Sequence, residues 1–289
     1  MPSIPLRGYG READMGTSTP FRGGRNENPL IPNWIEEAGA DPDDSSQPPQ
    51  EQPQQLRRPK RYTGPRASFT RFTKSGGEDR RALGKAVSSF VSRTSGGSAT
   101  TSRRMAAERS AAATLANVLS RASRAPGGIR EVVRTLNFGS LADRSIQDIY
   151  AALVDHICPP DGDLDDAHAR EAYLEAVNEV MQNQPLDLER PSPETIMEII
   201  GKFIANAVNQ RIVTAIGSGI ISLPDDPKEV RAVERGLKDF ISGCIAETMD
   251  EFAGDFHEAD LRPEIDRIFE RAAEVIHDRG DEITEEAGK

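Results

Sequence analysis

Apolar residues recur at three- and four-residue spacing from Leu83 to Ile276, and nowhere do they alternate as a half-buried strand requires. That periodicity confines the chain to helices packed on helices, an all-α fold. The pattern has a sharp beginning. Of the 20 prolines, 11 lie before residue 66, where only isolated apolar side chains stand among Pro, Gly, Gln, Asp and Arg. Such a segment buries too little apolar surface to offset its ordering entropy, so residues 1–68 are expected to be a disordered tail. A basic helical arm, 69–136, and an acidic α-helical domain, 137–289, are expected to follow.

In the arm, Leu83, Val87, Phe90 and Val91 mark one helix, starting near Glu78 and ended by Gly96-Gly97. A second is expected from Ala99 to Ser123, through Met105, Ala112, Leu115, Val118 and Leu119. Beyond the Pro126-Gly127-Gly128 break, Ser140 and Asp143 read as a capping box for a helix carrying Ile146, Ile149, Tyr150, Leu153 and Ile157. Ala172, Val177 and Val180 mark the next. Ser192-Pro193 and Asp226-Pro227 each look like a helix start, because proline at the first position needs no amide hydrogen. A last helix begins near Pro263.

The net charge of -11 conceals a division. Residues 1–56 carry 4 basic and 9 acidic side chains, residues 57–130 carry 17 and 3, and residues 131–289 carry 15 and 35. Three uses of the basic segment stay open: folding back on the acidic domain, meeting an acidic protein, or meeting nucleic acid. Arg57, Arg58, Lys60, Arg61, Tyr62, Arg66, Phe69, Arg71 and Phe72 interleave cations with aromatics, as phosphate contact and base stacking would need. Arg80, Arg81, Arg103 and Arg104 extend the basic patch, but no compact nucleic-acid-binding module is spelled out.

Chemistry-bearing patterns are sparse. His156, His168, His257 and His277 fall on separate helices or loops, without metal-ligand spacing. Asp161-Gly162-Asp163-Leu164-Asp165-Asp166 starts like a calcium loop, yet Asp166 replaces the turn glycine and Ala172 the bidentate glutamate. Ile216-Gly217-Ser218-Gly219 lacks the first glycine of a nucleophile elbow. Gly96-Gly97-Ser98 lacks the ending of a phosphate loop, so a plain turn stands beside an anion site there. Cys158 and Cys244 read as small buried hydrophobes rather than a disulfide. No metal, cofactor or enzymatic activity is expected. The absence of a long apolar run and of a leader pattern leads to a cytoplasmic protein with no membrane span as the expectation.

Short words punctuate the first hundred residues: Met15-Gly16-Thr17-Ser18, then Pro29-Leu30-Ile31-Pro32-Asn33-Trp34, then Arg71-Phe72. Arg80-Arg81-Ala82-Leu83-Gly84 and a Gly-Gly turn before Arg103-Arg104-Met105 complete the series. A tryptophan among prolines and aliphatics reads either as a docking peptide for a partner or as an anchor onto the chain's own helices. Over roughly residues 15–110 this order of words resembles QatB, one component of the four-gene Qat anti-phage systems of bacteria. The chain departs from the pattern in the fourteen residues before Met15 and in Asn33, where another proline is expected.

The resemblance implies a non-enzymatic accessory protein in phage defence. Its partners would be a P-loop ATPase, a QueC-like enzyme and a TatD-like nuclease encoded beside it. QueC-like enzymes activate a deazaguanine carboxylate with ATP, and an amine then attacks to form an amide. A protein α-amine could replace ammonia there, since its pKa of about 7.7–8.0 leaves far more of it neutral than lysine. Gly16 is then the residue to watch, exposed by a start at Met15 or by cleavage after it, with Thr17 and Ser18 read alongside. An ordinary start site with a small second residue is the plainer reading. A nucleic-acid adaptor using residues 57–130, and a helical structural protein outside defence, remain as alternatives.

Overall fold

A computed structural model describes residues 62–159, 164–183, 186–217, 224–252 and 261–286. Met15 to Ser18, Pro29 to Trp34, Arg57, Arg58, Lys60 and Arg61 therefore lie outside the described residues. Among those described, every regular element is helical, and the all-α expectation holds.

The first helix, α1 (Thr63–Lys74), begins inside the stretch expected to be tail. Tyr62, Pro65, Phe69 and Phe72 follow one another at helical spacing, and all four are buried. The base-stacking use of these aromatics is thereby overturned, because their rings lie inside the body. Two glycines with positive φ, Gly76 and Gly77, turn the chain into α2 (Arg80–Ser89). Asp79 caps α2 by accepting from the Ala82 amide at 2.9 Å.

A π-type turn at Phe90–Thr94 leads to α3 (Ser98–Arg103) and α4 (Ala106–Arg124). The single helix expected over 99–123 is thus broken at Arg104 and Met105. Burial of Met105 and the turning inward of the Arg104 carbonyl, which accepts from Arg211, accompany the break. Helix α4 is the hub of the fold. Its Ala111, Ala112, Ala113, Leu115, Ala116, Val118 and Leu119 are all buried, on several sides at once.

Gly128 opens α5 (Gly128–Thr135), followed by a 3₁₀ turn, Gly139–Leu141. Ser140 sits in that turn, so the expected capping box is displaced. The cap is Ser145, which accepts from the Asp148 amide at 3.1 Å and starts α6 (Ile146–Ala152). A one-turn helix, α7 (Val154–Ile157), follows. The long helices are α8 (Leu164–Asn183), α9 (Pro193–Gly217), α10 (Pro227–Glu251) and α11 (Arg262–Glu286). Ser192 and Asp226 cap the starts of α9 and α10, as their sequences led one to expect.

One apolar cluster runs from Tyr62 to Ile276, so residues on both sides of the 136/137 boundary share a core. The closest helix crossing joins α2 to α11. A Cβ added at Gly84 would stand 2.5 Å from the Gly280 carbonyl oxygen, and one at Gly280 would stand 2.7 Å from that of Gly84. The Arg80-Arg81-Ala82-Leu83-Gly84 word is therefore a packing word on its inner side, with glycine where two backbones touch.

Candidate functional site

The basic residues nominated by the sequence divide into inward and outward sets. Arg66 is half-buried, lies over the Tyr62 ring at 5.0 Å and donates to the Ala215 carbonyl at 3.3 Å. Arg104 is half-buried and donates to the Thr94 carbonyl at 3.4 Å. Arg109 pairs with Asp266 at 3.5 Å, and Arg130 with Glu189 at 2.7 Å. These contacts draw part of the basic segment back onto the acidic one. Arg71, Arg80, Arg81 and Arg103 instead face solvent, together with Lys74, Lys85 and Arg93. Arg103 donates to Thr100 Oγ1 at 3.1 Å, while Arg71, Arg80 and Arg81 meet no carboxylate among the described residues.

Sequence reasoning missed the most unusual electrostatic feature, a buried charged centre where α4, α8 and α9 meet. Arg211 of α9 is 7% exposed and Glu108 of α4 is fully buried. The Arg211 guanidinium lies 2.5 Å from Asp165 Oδ1 and 3.5 Å from Glu108 Oε1, and also donates to the Arg104 carbonyl. Neither Glu108 oxygen has a hydrogen-bond partner among the described residues. Burial pushes the Glu108 carboxyl up to about 7, against the opposing pull of Arg211. A single acid within an alanine-rich helix, Ala106-Ala107-Glu108, was the available signal.

His168 stands nearby, its Nε2 at 3.4 Å from Thr214 Oγ1, and burial lowers its pKa. His156 lies edge-on to Phe138 with centroids 6.2 Å apart, and burial followed by Arg121 lowers its pKa too. His277 neighbours Asp278 and Asp281 at 3.2 and 3.6 Å on the exposed side of α11. Among the described residues, no three His, Cys, Asp or Glu side chains are grouped as a metal site would need.

Cys158 and Cys244 are free and buried, and burial pushes both thiols up to about 12, which suits small apolar side chains rather than nucleophiles. No helix among the described residues is long and apolar enough to cross a membrane. Arg211 is engaged by Glu108, Asp165 and the Arg104 carbonyl, so the buried centre ties three helices together.

Residues 96–276 match the model of the family described as Qat anti-phage system associated protein QatB. The span takes in α3, α4 and the buried centre, and it reaches well into α11. Of the short words, only the Gly96-Gly97 turn and Arg103-Arg104-Met105 fall within it; Met15 to Ser18 and Pro29 to Trp34 do not. Neither a curated protein nor a solved structure matches the chain significantly. The match covers more than half of the 289 residues, and on that ground the chain belongs to the QatB family, components of the Qat anti-phage system.

Proposed function

We propose that this protein serves its defence system as a scaffold and as the substrate of a QueC-like enzyme that modifies Gly16. The observation that carries the reading is the family match over the helical body, which places the chain in a multi-component system. The tail supplies the chemistry. A freed Gly16 α-amine is neutral, and so nucleophilic, to a far greater extent than a lysine near neutral pH, and glycine has no side chain to obstruct approach. In the proposed step, ATP activates the deazaguanine carboxyl. The neutral amine attacks that carbon, an amide forms, the activating group leaves, and the amine loses a proton.

Met15, Thr17 and Ser18 frame the residue to be recognised, and Pro29, Leu30, Ile31, Pro32 and Trp34 anchor the tail. The helical body docks the P-loop ATPase, and the TatD-like nuclease completes the assembly. Coexpression of Gly16→Pro with the QueC-like enzyme tests the step. The variant should carry no adduct while keeping the helical signal and melting temperature of the wild type. An adduct of unchanged abundance on Gly16→Pro would overturn the assignment.

A second reading draws on the outward arginines. Arg71, Arg80, Arg81 and Arg103 are exposed, and an adaptor could use them, with Arg57, Arg58, Lys60 and Arg61, to bring DNA or RNA to the nuclease. Phosphate contacts make affinity fall steeply with salt, by about one power of salt concentration per phosphate. A steep slope in a DNA or RNA titration favours this reading, and a flat one removes it.

A further inference from the structure

A groove of about 380 Å³ lies between α8, α9 and α10. Its origin is in the sequence: Gly201 and Ala205 on α9 face Ser242 and Ala246 on α10, and these small side chains leave the seam between the helices low. Ile245 and Met249 give it an apolar floor. The rim is acidic. Glu198 is held only loosely, 4.0 Å from Lys202, and Asp250 is exposed without an ion pair among the described residues. The volume falls in the range of grooves that take up a large side chain and its neighbours.

We propose that this groove seats the chain's own segment Pro29-Leu30-Ile31-Pro32-Asn33-Trp34. The inference rests on the reading of the tail as the functional appendage and adds where that tail is held. Chemistry favours this occupant. The segment offers one large aromatic and two aliphatic side chains, and its prolines reduce the entropy lost on docking in an extended form.

Geometry favours it as well. The described chain starts at Tyr62, which lines a small cavity with Ala215 near the end of α9, and Arg66 donates to the Ala215 carbonyl. Ala205 lies ten residues back along the same helix, about 15 Å along its axis. The 27 residues from 35 to 61, at up to about 3.3–3.6 Å each, are long enough to reach from Tyr62 to the groove. A tether long enough to reach makes docking intramolecular and raises the effective concentration, so modest contacts suffice to hold the segment. Seating Trp34 there keeps Gly16 at a bounded distance from the body, within reach of an enzyme docked on it.

Trp34 is the chain's sole tryptophan, so intrinsic fluorescence of the full-length protein reads the site directly. Wild type should show blue-shifted emission and several-fold weaker iodide quenching than a free tryptophan. Ala246→Arg, a change at an exposed groove position, should return both to solvent values with unchanged helical circular dichroism. Should that variant lose helical signal, Ser242→Arg, also exposed, takes its place. Solvent-like emission in the wild type, or protection indifferent to a folded groove variant, overturns the proposal. Protection that fades on dilution also overturns it, by assigning the groove to the tail of a second copy. A protected Trp34 beside an unmodified Gly16 would sink the substrate reading and leave the groove assignment standing.

Discussion

Residues 62–130 and 131–286 build one core but differ in how far their cations are paired. In the later region many of the cations are held by carboxylates, although Lys228, Arg231 and Arg235 are exposed and pair with none among the described residues. Lys238 lies 2.5 and 2.6 Å from Glu175 and Glu179, Arg271 makes two hydrogen bonds of 2.8 Å to Glu251, and Arg279 grips Glu247 the same way. Acidic side chains outnumber bases there 35 to 15 over residues 131–289, so pairing leaves a large acidic surplus. In the earlier region Arg66, Arg104, Arg109 and Arg130 are used inside, while a larger set points to water. Exposed ion pairs contribute little stability, about 0–1 kcal/mol each. The outward arginines are therefore expected to contribute little to the fold.

The sharpest way to break this comparison is at the buried centre, where the two regions share charge. Arg211→Met leaves Glu108 and Asp165 in the interior without their cation, and should cost about 3–5 kcal/mol. Denaturant melts would show it as a large drop in midpoint. A loss below about 1 kcal/mol would mean that the buried centre is not holding the two regions together.

The same centre predicts a pH dependence of known sign. Glu108 has a folded-state pKa of about 7 against 4.5 when unfolded. The folded state therefore holds the proton more tightly, and stability is highest below the unfolded value. It is lost as pH rises from 4.5 through about 7, by an amount of about 3 kcal/mol in total. His168, whose pKa is lowered by burial, works in the opposite direction, losing stability as pH falls. Glu108→Gln should flatten the slope between pH 5 and 8, and equal slopes for variant and wild type would contradict the account.

A smaller effect sharpens the packing side. Gly84→Leu must push α2 away from Gly280, and should cost about 1–3 kcal/mol by overpacking. Thermal melts should show the loss, whereas Gly139→Ala, where an added Cβ meets nothing within 4 Å, should show little change. Smallest of all, replacing Arg71, Arg80, Arg81 and Arg103 together by alanine should alter stability by only about 0.5 kcal/mol per site or less. Binding to an acidic partner or to nucleic acid should weaken markedly in a titration. A large stability loss in that variant would mean that the outward cations support the fold after all.

Long helices were legible because each has a wide apolar face and a local start signal. Ser192-Pro193 and Asp226-Pro227 mark α9 and α10 through their own backbone chemistry. Helix α1 was not legible, because interleaved arginines made Phe69 and Phe72 resemble a nucleic-acid surface, and only tertiary burial decides between the two. The break at Arg104 and Met105 coincides with a contact from Arg211, more than a hundred residues away. Gly84 looked like part of a recognition word because its inner role exists only once α11 crosses it. The Glu108, Asp165 and Arg211 centre joins three distant segments, so no spacing rule could assemble it. Family membership was legible in words over residues 15–110, yet the family match rests on the helical body from 96 to 276, which the words hardly touch.

The most direct test of the functional account is the intact mass and N-terminal peptide of the wild-type chain, made with and without its QueC-like partner. The account predicts a chain beginning at Gly16 that carries the added mass of a deazaguanine amide only when the partner is present. An unmodified terminus in both samples would contradict it and return attention to the outward arginines of residues 71–103.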